Sequence, residues 1–162
     1  EAQRQQLHDA SRAARHTADA LKDIVWIINP EHDKLDDIVL RMKDGASKLL
    51  TGTQYSFMCD HETMARVLDM EFRRNLLLIY KEVLNNIAKY ARASKVSIEI
   101  GEQDDCLYLR ITDDGVGFDP ETVQKGNGLK NLRMRAKNMG GTIAITSKPQ
   151  NGATIELRAR IP

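Results

Sequence analysis

The chain has 162 residues, of which 41% are hydrophobic and 29% charged, and 24 lysine and arginine residues nearly balance 23 aspartate and glutamate residues. This length fits one domain with a short appendage, and the apolar fraction supports a hydrophobic core, which excludes a wholly disordered chain. The near-neutral charge and apolar runs of at most five residues argue against nonspecific nucleic-acid binding and against a membrane-spanning helix. We therefore expect no nucleic-acid partner and no membrane contact by this chain.

The chain starts with apolar residues that recur every seven positions: Leu7, Ala14, Leu21 and Ile28. This spacing predicts a helix of a helical bundle or coiled coil. The helix should end at Asn29 and Pro30, because proline cannot donate to the helical ladder. Since the pattern is already present close to Glu1, we expect the chain to be a piece of a longer protein.

Two further segments have the apolar period of a helix. The first predicts a helix over 33–50, and the second a long helix over 61–93 whose strongest part is 72–90. A short strand is predicted between them, over 55–59. These elements would supply helices that pack on one face of a sheet.

Alternation of apolar and polar residues predicts two hairpins. Their four strands are predicted at 96–100, 107–111, 143–145 and 155–159. The first hairpin would turn at 101–105, and the second at a loop containing Asn151 and Gly152, a pair suited to positive φ. A loop over 112–128, with four of the ten glycines of the chain, and a helix over 129–139 lie between the hairpins.

Polar side chains with spacings of three and four lie in the long helix: Glu82, Asn85, Asn86, Lys89 and Tyr90. The amide oxygen of Asn86 could ligate Mg²⁺, which binds phosphates with few protein ligands. Lys89 could meet a phosphate, and Glu82 is placed to act as a general base. Taken alone, such a stripe is a solvated helix surface in the majority of proteins.

Two other segments suit a nucleotide. Asp113 follows a predicted strand, and its carboxylate could accept a hydrogen bond from an adenine amino group while Gly115 and Gly117 allow close approach. The segment 126–129 opens a helix, where unpaired N–H groups favour phosphate. An acidic turn and an ordinary helix N-cap are the alternatives. Neither segment has the pattern of a P-loop or of a dinucleotide-binding fingerprint.

In order and spacing these segments resemble the N, G1 and G2 boxes of the GHKL superfamily of gyrase, the ninety-kilodalton heat-shock protein, histidine kinases and MutL, and residues 152–154 resemble its last box. The resemblance covers about residues 55–162. Within the superfamily the chain is most similar to the ATP-binding domain of bacterial two-component sensor histidine kinases. The implied fold is an α/β (α+β) two-layer sandwich, the GHKL or Bergerat fold: a mixed, mainly antiparallel sheet with helices on one face, plus the N-terminal helix.

Four segments resemble histidine kinases of the NarX and DesK type: 26–30, 82–86, the short lid 118–125, and 128–135. Such kinases commonly phosphorylate NarL-like response regulators. Two departures from the pattern are Tyr90, where this branch usually has His, and Asp114, where Asn is usual.

The resemblance implies ATP and Mg²⁺ as cofactors and gives each site residue a role. Asn86 would ligate Mg²⁺, and Glu82 would be the base or orienter for the attacking histidine. Asp113 would read adenine, and Thr154 would support it through a water. The other implied nucleotide contacts are Lys89 at phosphate, Tyr90 at the nucleoside, Gly115 and Gly117 at the base, and Gly126, Gly128 and Leu129 at the lid beside the phosphates.

The implied activity is transfer of the γ-phosphoryl group of ATP to a histidine, for relay to a response regulator. Residues 1–30 would be the second helix of a dimerisation hairpin and 31–162 the catalytic domain. The acceptor histidine, which belongs on the first helix, and the rest of the homodimer interface would then lie upstream of Glu1. His8 is the less favoured alternative acceptor. A cytoplasmic location is expected, since the two cysteines form no CxxC pair.

Two other readings stay open from the sequence. Glu82 with Asn86 would serve equally to activate water in an ATP hydrolase of the gyrase or MutL kind. The chain could also be a non-catalytic module that binds a nucleotide or docks a partner.

Overall fold

The computed structural model of the chain describes residues 2–60, 65–121 and 128–162, and it divides into two compact units, Glu1–His32 and Asp33–Pro162. The boundary lies two residues after the one predicted from the sequence. No helix within the described residues is sufficiently long and apolar to cross a membrane.

The first unit consists of helix α1, Ala2–Ile28, and a 3₁₀ turn, Pro30–His32. Asn29 begins the turn by accepting the backbone N–H of Glu31 on its side-chain oxygen at 3.0 Å. The ring of Trp26 stacks on that of His32, with centroids 4.9 Å apart. Several apolar residues of α1 are exposed, including the described large members of the predicted seam: Leu7, Leu21, Ile24 and Ile28.

The second unit contains a sheet and three helices. The helices are α2, Leu35–Leu49; α3, Met70–Asn86; and α4, Gly128–Asn138. The strands are β1, Gln54–Cys59; β2, Lys95–Gln103; β3, Cys106–Asp113; β4, Gly141–Ser147; and β5, Ala153–Arg160. Their order in the sheet is β1-β2-β3-β5-β4. Strand β1 is parallel to β2 and the other pairs are antiparallel, which confirms the mixed, mainly antiparallel sheet.

The hydrophobic core lies between one face of the sheet and the helices. Alternate residues of the three central strands are buried on that face: Val96, Ile98, Ile100, Leu107, Leu109, Ile111, Ala153, Ile155, Leu157 and Ala159. The inward residues of α2, α3 and α4 are buried as well. The two-layer arrangement with helices on one face is therefore confirmed.

The other face of the sheet is polar and forms rows across the strands. One row contains a hydroxyl residue from each strand: Ser56, Ser97, Thr112, Thr154 and Thr146. In the neighbouring row Arg110 donates to Glu156 at 3.0 Å and lies 3.6 Å from Glu99. These cross-strand pairs satisfy polar groups of the face without a covering layer.

The long helix predicted over 61–93 is shorter in the structure. It begins at Met70, because Asp69 accepts the backbone N–H of Phe72 at 2.7 Å as an N-cap. Ahead of the cap, Leu68 donates its N–H to Asp33 at 2.8 Å, so this segment pairs with the start of α2. At the other end α3 passes into a π-helical turn, Ile87–Ala91, which is closed by Arg92 in the left-handed region (φ 50°).

The two hairpin turns also differ in detail from the prediction. The first is confined to Asp104 and Asp105, which both have positive φ, and Gly101 belongs to β2. In the second, Gln150 and Gly152 have positive φ, whereas Asn151 does not. The hairpins themselves are formed as predicted.

Helices α2 and α3 are connected by a buried hydrogen bond. The hydroxyl of Tyr80 donates to the backbone oxygen of Met42 at 2.7 Å. Burial raises the pKa of Tyr80 far above its usual value, so the phenol stays protonated as a donor.

We expect Tyr80→Phe to lower the free energy of unfolding by about 1 kcal/mol, because it removes one buried hydrogen bond and little packing. Urea denaturation monitored by circular dichroism measures the change. Tyr90→Phe is the matched control, since Tyr90 is 69% exposed and should have almost no effect. Equal stability of the two variants would contradict the role of this bond.

Candidate functional site

The structure brings the polar stripe of α3 against the start of α4. A Cβ atom built on Gly128 would lie 2.8 Å from Oε1 of Glu82 and 3.6 Å from the side-chain nitrogen of Asn86. Glycine at this position therefore allows the start of α4 to approach both side chains closely. Two segments 42 positions apart, each singled out from the sequence, meet here.

Asp113 ends β3 on the buried face of the sheet, and its side chain is only 5% exposed. Its Oδ1 accepts the backbone N–H of Gly115 at 2.8 Å, and the backbone N–H of Ala153 also donates to the carboxylate. Burial raises the pKa of this carboxyl above its ordinary value, and the two N–H groups oppose the shift. The carboxylate is therefore fixed in direction and costly to bury in charged form.

The loop after Asp113 packs closely on the turn between β4 and β5. Gly152 donates its N–H to Gly115 at 2.9 Å, and a Cβ on Gly152 would overlap with the backbone oxygen of Asp113. Gly117, at φ 61°, lies equally close to the backbone of Lys148. Gly117 and Gly152 are thus required by close contacts within the protein. Whether Gly117 also admits the base, as predicted, stays a prediction.

Ser147 joins these two loops and was missed in the sequence. Its hydroxyl donates to the backbone oxygen of Gly152 at 2.7 Å and accepts the N–H of Phe118 at 2.9 Å. No local pattern distinguishes this serine from any other strand residue. Its function depends on the pairing of β4 with β5, which places it opposite Ala153.

Lys89 and Tyr90 lie on the π-helical turn and are both exposed. A π turn has more residues per turn than an α-helix, so these side chains are displaced from the α-helical stripe assumed from the sequence. Such turns occur frequently at functional sites. The turn contacts the loop after Asp113, since Val116 donates its N–H to Ala91 at 2.8 Å.

The placement of Thr154 corrects its predicted role. Its hydroxyl is 3.1 Å from that of Thr112, on the polar face of the sheet, whereas the carboxylate of Asp113 lies on the buried face. Thr154 therefore cannot support Asp113 through a water. The neighbouring Ala153 is paired with Asp113, and its backbone N–H donates directly to the carboxylate. The alternation of Ile155, Leu157 and Ala159 could have revealed this orientation.

The remaining predicted contacts lie at the lid. Leu129 is half-buried in the first turn of α4, next to Gly128. Gly126 lies outside the described residues, so its predicted role stays a prediction.

The donor set near Gly128 fits Mg²⁺ held chiefly by a ligand. Among the described residues, no group of three or more His, Cys, Asp or Glu side chains could hold a metal ion. The amide of Asn86, close to the start of α4, suits an ion whose other ligands are phosphate oxygens and water.

Two solved structures with a similar fold are histidine kinases. The Acinetobacter baumannii histidine kinase AdeS aligns with a TM-score of 0.69 and 16% identity, over 97% of this chain and 83% of that chain. The Erythrobacter litoralis EL346 blue-light activated histidine kinase aligns with a TM-score of 0.65 and 19% identity, over 76% of this chain and 42% of that chain. At such low identity the similarity shows the fold alone.

Relatives by sequence are sensor proteins. The sensor protein VraS of Staphylococcus aureus (strain COL) is 40% identical over 86 residues, which are 52% of this chain and 25% of the relative. VraS of Staphylococcus haemolyticus (strain JCSC1435) has the same identity and coverage. The chain thus matches about a quarter of the length of these relatives.

The family described as histidine kinase-, DNA gyrase B-, and HSP90-like ATPase matches residues 72–162. That range is more than half of the chain, and it contains α3 from Phe72 onward with its polar stripe, Asp113, Gly128 and the turn at Gly152. The family match is consistent with the order of the strands in the sheet and with the close approach of these segments in the structure. The chain therefore belongs to the family of histidine kinase-, DNA gyrase B- and HSP90-like ATPases.

Proposed function

We propose that this chain is the Mg-ATP-binding catalytic fragment of a sensor histidine kinase, which transfers the γ-phosphoryl group to a histidine upstream of Glu1. The observation that carries this proposal is the contact of Gly128 with Glu82 and Asn86. In this proposal a general base, a metal-binding amide and a helix N-terminus lie close together, which is the arrangement that phosphoryl transfer needs.

Each side chain of this group has a distinct task. The N–H groups of the first turn of α4 bind phosphate oxygens, with which the helix dipole interacts favourably. Asn86 would supply its amide oxygen to Mg²⁺, which when bound would offset the charge of the phosphates. Glu82 accepts a proton from the incoming imidazole or orients it for attack.

Adenine recognition belongs to Asp113 in this proposal. Because Oδ1 already accepts the N–H of Gly115, the remaining acceptor capacity of the carboxylate is available to the adenine amino group. Lys89 binds phosphate and Tyr90 contacts the nucleoside, and their exposure on the π turn leaves both side chains accessible.

We infer the branch and the partners from the same segments. Residues 26–30, 82–86 and 128–135 support a kinase of the NarX and DesK type with a NarL-like response regulator as partner. The exposed apolar seam of α1 supports a homodimer built through the helical hairpin of the intact protein. Catalysis would take place in the cytoplasm.

We expect calorimetric titration with a nonhydrolysable ATP analogue to show binding that Mg²⁺ strengthens. Asp113→Ala should weaken this binding about ten- to hundredfold, because a hydrogen bond to a charged group is lost. Asp44→Ala is the matched control, since this exposed carboxylate is paired with Lys48 on α2. Absence of binding by the unaltered chain would contradict the proposed function.

Substitutions at Glu82 and Asn86 test the catalytic roles in the chain joined to its upstream segment. Asn86→Ala should remove the Mg²⁺-dependent part of nucleotide binding. Glu82→Gln, which keeps the shape of the side chain beside Gly128, should retain binding and slow autophosphorylation about a hundredfold or more. Transfer of radiolabelled phosphate measures the rate. Steady phosphate release by the chain, abolished by Glu82→Gln, would instead favour an ATP hydrolase.

Asp113→Asn should separate recognition from folding. The pKa of Asp113 is raised on folding, so its favourable contribution to stability is present below the unfolded pKa and is lost as pH rises through the folded pKa. At neutral pH the uncharged amide avoids the cost of burying a charged carboxylate. The variant should therefore be at least as stable as the unaltered chain while binding the ATP analogue poorly. Thermal denaturation at neutral and at acidic pH measures the difference, which should shrink as pH falls through the folded pKa of Asp113. A marked loss of stability at neutral pH would contradict this account.

A further inference from the structure

The π turn that carries Lys89 and Tyr90 needs support from outside the helix. It ends at Arg92, a non-glycine residue held in the left-handed region at φ 50° and ψ 37°. This conformation is strained for a residue with a Cβ atom. The direction in which the chain leaves α3, and with it the position of the turn, therefore depends on what holds the residues after Arg92.

The side chain of Asp114 holds those residues. Its Oδ1 accepts two backbone N–H groups, from Ser94 and from Lys95, each at 2.8 Å. The backbone adds a third bond, from the N–H of Asp114 to the oxygen of Lys95 at 3.2 Å. The bonds to Lys95 and Ser94 also lower the pKa of the Asp114 carboxyl, so it is ionised at neutral pH.

A second contact joins the same two segments from the other side. Val116 donates its N–H to Ala91, the last residue of the π turn, and Gly115 packs so tightly there that a Cβ would overlap with the oxygen of Ala91. The turn is therefore attached to the loop 113–117 both before and after Arg92.

Successive residues of this loop point to opposite sides. Asp113 is buried on the core face, where it is fixed by Gly115 and Ala153, whereas Asp114 is exposed and reaches the backbone after the turn. One short segment thus carries the proposed adenine reader on one side and the attachment of the π turn on the other.

We propose that Asp114 is a positioning residue that sets where the π turn presents Lys89 to the nucleotide phosphates, relative to the adenine held by Asp113. This inference rests on the proposed function, since it assumes that the two ends of one nucleotide lie at Asp113 and at Lys89. Asp114 contacts neither end and acts through Ser94 and Lys95.

Comparison of adenosine with a triphosphate analogue tests this role. Asp114→Ala should weaken binding of the ATP analogue about tenfold, while adenosine affinity changes by less than about twofold, because only the phosphate end is displaced. Isothermal titration at fixed Mg²⁺ gives both constants. In the nucleotide-free chain, the same variant should speed hydrogen exchange at the amides of Ser94 and Lys95.

Two further variants distinguish positioning from charge and from folding. Asp114→Asn keeps an acceptor oxygen for both N–H groups and should preserve the ratio of the two affinities, although it removes the charge. Adding Arg92→Gly to Asp114→Ala should bring the ratio of the two affinities part of the way back to that of the unaltered chain, because glycine adopts the left-handed region without strain. Asp44→Ala serves again as the remote control.

The outcomes separate this inference from the function on which it rests. Equal losses of adenosine and triphosphate binding, or an unchanged ratio in Asp114→Ala, would overturn the positioning role. If Asp114→Asn also changed the ratio of the two affinities, the effect would come from the charge of Asp114, and the positioning role would be overturned as well. If the unaltered chain binds neither compound, or if Asp113→Ala binds both normally, the proposed function fails first.

Discussion

A buried carboxylate is the constraint on which this site depends. The carboxylate of Asp113 lies in the core and accepts backbone N–H groups from Gly115, in the loop after β3, and from Ala153, at the start of β5. The loop after β3 therefore approaches the turn before β5 closely, which excludes a Cβ atom at Gly152, whereas Gly115 is required by its contact with Ala91 on the π turn. Both glycines are thus required by close contacts within the protein. A ligand that donates to this carboxylate would complete its hydrogen bonding.

The two adjacent aspartates, Asp113 and Asp114, have opposite pKa shifts because successive residues face opposite sides of the sheet. Burial raises the pKa of Asp113, whereas two backbone donors lower that of Asp114. The stability contributed by Asp114 is present above its unfolded pKa and is lost as pH falls through the lower folded pKa, which is the opposite dependence from that of Asp113. These two aspartates thus give the stability opposite dependences on pH, because one faces the core and the other faces solvent.

Much of the fold could be predicted because hydrophobic periods report directly on exposure. The hairpins, α2 and α4 follow such periods, whereas the parallel pairing of β1 with β2 depends on contacts that no local pattern encodes. The spacing of Glu82 and Asn86 predicted their common face, and Gly128 was found through its motif. Thr154 was placed wrongly because the motif was weighed above strand alternation. Ser147 and the π turn could not be predicted, since each depends on tertiary contacts.

The polar rows on the outer face have a consequence for strand alignment. Every strand contributes one hydroxyl residue to a single row, and the adjacent row pairs Arg110 with Glu99 and Glu156. A slip of one residue between two strands would turn a serine or threonine into the core and an aliphatic side chain into water. The polar rows of the outer face and the apolar core face therefore oppose misalignment together. Chains that tolerate large core substitutions while keeping these rows should still fold with the native alignment of all five strands.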